Sequence, residues 1–345
     1  MIKRIYEPNL ASSCFFRTAV TLPNYKILLQ ITEKCNFRCS HCFVNSTVSG
    51  NEMLLKQIID HVIPNLIKSN VTKVTLTGGE PLVHRDVREI ISALCDEGIA
   101  VSVCTNGSLI TDDFMTFILG YPNIHFNVSL DGLYYESHGR FRGNLERQIY
   151  DKIIKNIELL GKHRLLNGIL TTPNKYASIS EYDELCSFVR SVGAKYILMN
   201  PLSPFGRGNE TQMLAYTRDE MIALQEATLH HNTDDFEVVY IRFPNYKKLK
   251  VGGCPLGSFP YIFTNGDVVI CPYMVFASEN SDNDYNANQF TLYNIFSNDI
   301  SIKKSLEKYH LPNGLHVDSE LFSDKGCCAI KISKNQPLEG TDYLL

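Results

Sequence analysis

No apolar run of about 18 residues occurs in the 345-residue chain, so no membrane-spanning helix is expected. Residues 1–16 have no apolar core followed by a small-residue cleavage site, so they do not form a secretory signal, and a cytoplasmic location is expected. An excess of one charge is also missing. Lys and Arg total 33 against 37 Asp and Glu, a net charge of −4, which argues against a dedicated nucleic-acid binder without excluding a local basic patch. There is no long low-complexity tract. A disulfide framework is not expected either: the eleven cysteines are odd in number, and in a reducing compartment they read as ligands or reactive thiols. With ordinary apolar and charged content, this length predicts one large domain plus a small annex.

The first 24 residues carry no clear period and are read as a lead-in. Strand-like runs follow at residues 26–32, 71–77, 100–105, 125–130, 168–172 and 195–200. Between them lie helix-like stretches at 53–68, 87–97, 112–119, 148–162 and 179–192, with a further one at 218–230. Asp86 and Thr111 read as N-caps, and Gly98 and Gly193 as helix stops. Such alternation predicts parallel strands with helical crossovers, in an open sheet or a partial barrel. Either arrangement binds ligands at the C-terminal ends of its strands. The alternation stops after about Val251, which places a boundary between about Thr233 and Gly252. The expected units are a lead-in (1–24), a main domain (25–240) and a C-terminal domain (241–345).

The strongest signal is Cys35-Asn-Phe-Arg-Cys39-Ser-His-Cys42, directly after the first strand. Core packing does not bunch three thiols in eight residues, and zinc usually takes four ligands. His41 is an alternative fourth zinc ligand, but it would have to share the metal with its neighbour Cys42. Iron–sulfur cubes normally take four cysteines, so three leave one iron open to a substrate. Thr77-Gly78-Gly79-Glu80-Pro81 ends the second strand, Thr105-Asn106-Gly107 the third, and Ser129-Leu130-Asp131-Gly132 the fourth, followed by His138 and Arg142-Gly143.

These motifs together resemble the radical S-adenosylmethionine (SAM) superfamily. The resemblance implies a partial (β/α)6 barrel with a [4Fe–4S] cluster on Cys35, Cys39 and Cys42, whose open iron chelates SAM. It further implies SAM binding by Gly78, Gly79, Glu80, Asn106, Ser129, Asp131 and Arg142. Glycines would let the backbone approach the ligand, and the arginine fork would suit a carboxylate. Arg140 is a weaker alternative to Arg142. An aspartate expected after the histidine is Gly139 here, which leaves the role of His138 open. Asn174 and residues 201–208 look like late-strand loops of this family.

Cys254, Gly266 and Cys271 are spaced C-x11-G-x4-C across a strand–turn–strand pattern, and Cys327-Cys328-Ala329 lies near the end. This resembles the opening and the GC-x-A segment of SPASM domains, which carry auxiliary clusters. The intervening C-x2-C-x5-C is missing, implying a shortened, twitch-like iron–sulfur domain with one auxiliary [4Fe–4S] cluster on Cys254, Cys271 and Cys327. Vicinal cysteines in extended chain point to opposite faces. Cys328 is therefore left as a fourth ligand, a reactive thiol or an inert residue, and is named as a candidate catalytic hydrogen-atom donor. Cys14, Cys95, Cys104 and Cys186 read as small buried hydrophobes.

The resemblance implies reductive SAM cleavage and hydrogen abstraction from a substrate C–H bond. The first expectation is maturation of a ribosomally made peptide by crosslinking, thioether formation or epimerisation. A sugar or aminocyclitol substrate is the alternative enzyme reading, and a zinc-stabilised binding module the non-enzyme one. Expected partners are a peptide or small-molecule substrate and an electron donor such as flavodoxin or ferredoxin, with no nucleic acid and no membrane.

Overall fold

The computed structural model of the chain describes residues 10–11, 24–244, 246–247, 250–251, 260–269, 271–279, 284–297, 302 and 328–335. Its strands are β1 (Leu10–Ala11), β2 (Tyr25–Thr32), β3 (Val71–Gly78), β4 (Ala100–Thr105), β5 (Ile124–Ser129), β6 (Leu166–Thr171), β7 (Tyr196–Met199), β8 (Glu237–Tyr240), β9 (Lys250–Val251), β10 (Tyr261–Ile262), β11 (Asp267–Val269) and β12 (Thr291–Asn294). The helices are α1 (Leu55–Gln57), α2 (Ile63–Lys68), α3 (Val87–Asp96), α4 (Asp112–Ile118), α5 (Tyr135–Phe141), α6 (Arg147–Lys162), α7 (Ile179–Ser191), α8 (Arg218–Thr228), α9 (Pro272–Ser278) and α10 (Cys328–Ser333).

One open ten-stranded sheet runs β12-β11-β10-β2-β3-β4-β5-β6-β7-β8. Strands β2 to β8 pair in parallel, each with the next, giving the open partial barrel that the alternation predicts. The parallel run is longer than the six strands expected. β8 follows α8, but its four residues sit behind the polar Thr233-Asp-Asp stretch, too short to register as a period. β10 adds in parallel to the other side of β2, with Tyr261 opposite Leu28 and Ile262 opposite Leu29. β11 and β12 continue from it antiparallel, β10 and β11 being joined at Gly266, whose φ of 88° suits a glycine in the turn. Two residues of the lead-in are placed: β1 pairs in parallel with β9.

Local chemistry explains most boundaries. The stretch expected as one helix over 53–68 takes a π turn at Ile58–Val62 immediately before Pro64, which lacks an N–H for the ordinary ladder. The Thr111 side chain accepts a hydrogen bond from Phe114 N–H and starts α4, whereas Asp86 precedes α3 without a side-chain cap bond. Gly98 and Gly193 have φ of 73° and 81° and end α3 and α7. The main core lies between sheet and helices and includes Ile27, Leu29, Val74, Leu76, Phe126, Ile153 and Leu185, all fully buried. A second apolar cluster joins Phe205 to Tyr261, Cys271, Met274, Phe276, Ala329 and Ile332, so α9 and α10 pack together beside β10.

Candidate functional site

A cavity of about 240 Å³ opens at the C-terminal ends of the strands. Cys35, Cys39 and Cys42 line it together with Gly78, Gly79, Glu80, Asn106, Ser129, Asp131 and Arg142, so the fold gathers the proposed cluster ligands and SAM-binding residues around one space. The cysteine loop is pinned from behind. Cys35 N–H donates to Thr47 O at 2.7 Å, and the loop at 201–208 supports the other end. There Arg207 Nε donates to Cys39 O at 2.8 Å, and Arg207 N donates to Cys42 O at 3.0 Å.

The glycines of the second motif meet a steric demand within the protein as well. A Cβ on Gly78 would meet Thr32 O at 2.3 Å, and one on Gly79 would meet Lys34 O at 2.3 Å. Their absent side chains let this loop lie against the cysteine loop, where Gly79 N–H and Glu80 N–H donate to Thr32 O and Lys34 O.

Glu80 and Asn106 act as braces. The Glu80 carboxylate, 1% exposed, accepts from Thr105 Oγ1 at 2.7 Å, Asn106 N at 2.6 Å and Leu82 N at 3.1 Å. Burial pushes its pKa up to about 7, against the pull of those hydrogen bonds. Asn106 donates from Nδ2 to Asn36 Oδ1 at 2.9 Å and accepts at Oδ1 from Ser108, tying the third motif to the cysteine loop.

Asp131 is the hub. Its Oδ2 accepts from Arg142 Nε at 2.5 Å, with His41 Nε2 at 3.7 Å, and its Oδ1 accepts from Thr172 N at 2.8 Å. Its backbone N–H donates to His138 Nδ1 at 3.0 Å, and its carbonyl accepts from Asn174 Nδ2 and Tyr182 Oη. Burial would raise this carboxyl, but the Arg142 cation beside it holds it below the usual range. His138 therefore has a role: burial lowers it to about 3, leaving a neutral ring that accepts from Asp131. The departure at Gly139 is steric as well, since a Cβ there would approach the Tyr135 ring at 3.1 Å. Arg140 turns away and stacks on Tyr176 at 4.4 Å, whereas Arg142 reaches Cys39 Sγ at 3.9 Å.

The donor set fits an iron–sulfur cluster better than a single ion. Among the described residues, the trio of ligand atoms lying within 4.8 Å of one another is Asp183, His230 and His231, so the three sulfurs are spread wider than one tetrahedral zinc would hold them. Burial pushes Cys35 up to about 12 and Cys39 to about 11, so as bare thiols they stay protonated. A cationic cluster together with Arg142 would favour their thiolates.

Sequence reading missed several parts. Cys104, taken as a buried hydrophobe, lines the cavity, as do Asn200, Ser203 and Tyr273. His41 stacks on Phe141 at 4.0 Å, and its buried Nδ1 has no partner among the described residues. The spacing of His41 within the cysteine motif was the one available signal. Of the auxiliary ligands, Cys271 is buried at the start of α9, and Cys254 and Cys327 lie outside the described residues. Cys328 opens a helix that packs on α9, not the extended chain assumed for it; its side chain lies outside the described residues. Among the described residues no helix is long and apolar enough to cross a membrane.

Residues 29–186 match the family model described as "Radical SAM superfamily". The subtilosin biosynthesis protein AlbA of Bacillus subtilis is 25% identical over 229 residues, 66% of this chain and 50% of that one. A probable GTP 3′,8-cyclase of Sulfurisphaera tokodaii is 30% identical over 214 residues, 60% of this chain and 64% of that one. The chain spans about half the length of the curated relatives it matches. Among solved structures, SAM-bound SuiB of Streptococcus suis superposes with a TM-score of 0.68 at 17% identity, covering 91% of this chain and 75% of that one.

Proposed function

We propose, from the match of residues 29–186 to the radical SAM superfamily model, that the chain cleaves SAM reductively and abstracts hydrogen from a C–H bond of a ribosomally synthesised peptide. The observation that carries this reading is the convergence of Cys35, Cys39 and Cys42 on one cavity with the Asp131–Arg142 pair. A [4Fe–4S] cluster on these cysteines would supply the electron that splits SAM into methionine and a 5′-deoxyadenosyl radical. The protein's own work is placement. Gly78, Gly79 and Ser129 offer backbone and hydroxyl groups at the rim. Arg142, locked by Asp131, presents a fixed cation for a carboxylate. Glu80 and Asn106 hold the loops in register. Cys39, Glu80 and Asp131 are buried along the cavity wall, which would limit water beside a reactive carbon radical.

A peptide substrate is supported by relatives. AlbA is a bacteriocin biosynthesis protein, another relative is a mycofactocin maturase, and SuiB has been seen bound to its precursor peptide SuiA. Residues 25–240 would carry SAM chemistry, and 241–345 would hold one auxiliary cluster through Cys254, Cys271 and Cys327. Cys328 would be its fourth ligand or a hydrogen-atom donor, and a flavodoxin or ferredoxin would deliver electrons. The test is 5′-deoxyadenosine formation by reconstituted protein in the presence of dithionite. The triple variant Cys35→Ala/Cys39→Ala/Cys42→Ala is expected to form none; continued formation would overturn the assignment. Iron content separates the clusters, with about four irons expected to remain in the triple variant if one auxiliary cube is present.

A further inference from the structure

We propose that Asp183, His230 and His231 form a second metal site, for a divalent transition ion such as zinc, on the outer helical layer and independent of the cysteines. Asp183 lies on α7, and the two histidines form the turn that follows α8. His231 Nε2 lies 2.7 Å from Asp183 Oδ1, and His230 Nε2 lies 3.6 Å from the same oxygen. All three ligand atoms fall within 4.8 Å of one another.

The ring orientations point to a cation. His230 Nδ1 is 2.9 Å from Ala227 O, a contact that only an Nδ1–H can make. In the neutral ring this leaves the Nε2 lone pair directed toward a carboxylate oxygen at 3.6 Å, too far for a hydrogen bond and electron-rich on both sides. Backbone anchoring of the distal nitrogen is the arrangement that metal-binding histidines use to fix the tautomer. The two imidazoles lie face over face at a tilt, with centroids 4.0 Å apart. A tetrahedral zinc with ligand bonds of about 2.0–2.1 Å sets its ligand atoms about 3.3 Å apart. The His230 pair is already close to that value, and the His231 pair has to open by only ~0.6 Å.

Two imidazole nitrogens and one carboxylate oxygen suit zinc or its transition-metal neighbours better than calcium or magnesium, which prefer all-oxygen sets. The His230 side chain is 64% exposed, so water can complete the shell. Cys186, one turn after Asp183 on α7, is fully buried and burial pushes its thiol up, so it stays in the core as a neutral group. Arg190 lies near Asp235, with 3.8 Å between them, and so directs its charge elsewhere. The ion would tie α7 to the end of α8. That turn already holds the edge strand, since Asn232 Oδ1 accepts from Val238 N at 2.9 Å. The site would therefore clamp the final strand–helix unit.

The test uses full-length, cluster-loaded protein that has been washed with chelator, exposed to Zn²⁺ and desalted anaerobically, with zinc and iron then counted by mass spectrometry. The wild type is expected to retain about one zinc per chain that Asp183→Asn and His230→Ala each lose, with iron unchanged. His230 is exposed, so its alanine variant does not endanger folding. Zinc should raise the melting temperature of the wild type and leave both variants unmoved, because an ion bound only by the folded state stabilises it. Equal zinc in all three proteins, or none in the wild type, overturns the site.

Discussion

The two walls of the cavity are built by different physics. The wall formed by the ends of β2 to β5 is held by directional bonds. Asp131 alone engages Arg142, Thr172, His138, Asn174 and Tyr182, and Glu80 and Asn106 lock neighbouring loops. The wall formed by β7, β8 and α9, where Tyr273 faces the cavity, is backed by aromatic packing. Phe43, Phe205, Tyr273 and Phe276 meet edge to face, with Arg242 stacked on Tyr273 at 5.5 Å. Arg242 sits at a left-handed φ of 57°, held by hydrogen bonds to Asn200, Pro201 and Ser203. Directional bonds fix the position of a constant ligand such as SAM. Aromatic faces set shape with less demand on angle, which suits the part of a site that varies with substrate.

The largest effect should come from Asp131→Ala. It leaves the Arg142 guanidinium buried and unpaired, a loss of ~3–5 kcal/mol by chemical denaturation, accompanied by loss of SAM binding. The folded-state pKa of Asp131 is depressed, so its contribution is present above the unfolded value and is lost as pH falls through the folded one. The gap between wild type and variant should hold through neutral pH and close only in acid. A variant as stable as the wild type at neutral pH would remove the hub from the comparison.

Glu80→Gln should cost less, ~1–3 kcal/mol, because an amide NH₂ would face an N–H or hydroxyl donor. Its pH signature runs the other way. Burial raises the folded pKa from 4.5 to about 7, so the folded state holds more proton across that window and the Glu80 contribution falls as pH rises through it. Denaturation midpoints measured across that range should show the slope in the wild type and a flatter line in Glu80→Gln; parallel lines would contradict the assignment.

Tyr273→Phe should have the smallest effect. It removes the hydrogen bond from Asn200 Nδ2 to Tyr273 Oη at 3.3 Å and keeps the ring, a change of ~1 kcal/mol. SAM cleavage should persist while coupling to substrate falls, read as 5′-deoxyadenosine formed per product. If cleavage itself fell as far as in Asp131→Ala, the two walls would not divide the work.

The gathering of the cysteine triplet with the ends of β3, β4 and β5 around one cavity was legible because successive strand–helix units bring their strand ends to one side of the sheet. Residue type plus strand end then suffices. The bracing was not legible. Asn174 and Tyr182 reach Asp131 from 43 and 51 residues away, and no local period encodes such a pairing. Helix α5 was hidden because its seven residues, with a glycine among them, are too few to show a face. The packing of Gly78 and Gly79 against the cysteine loop was not legible, because a sequence does not show which backbone approaches which.

The parallel pairing of β10 with β2 has a mechanical consequence. Leu28 N–H donates to Pro260 O at 3.1 Å, and the next residues continue the ladder, so the C-terminal part is stitched edge-on to the strand that ends in the cysteines. A hinge between β2 and β10 would have to shear these backbone hydrogen bonds. A fragment cut at residue 240 would bare the flank of β2, leaving unpaired amides and carbonyls that invite another strand. Residues 25–240 are thus not separable from β10 without exposing that edge.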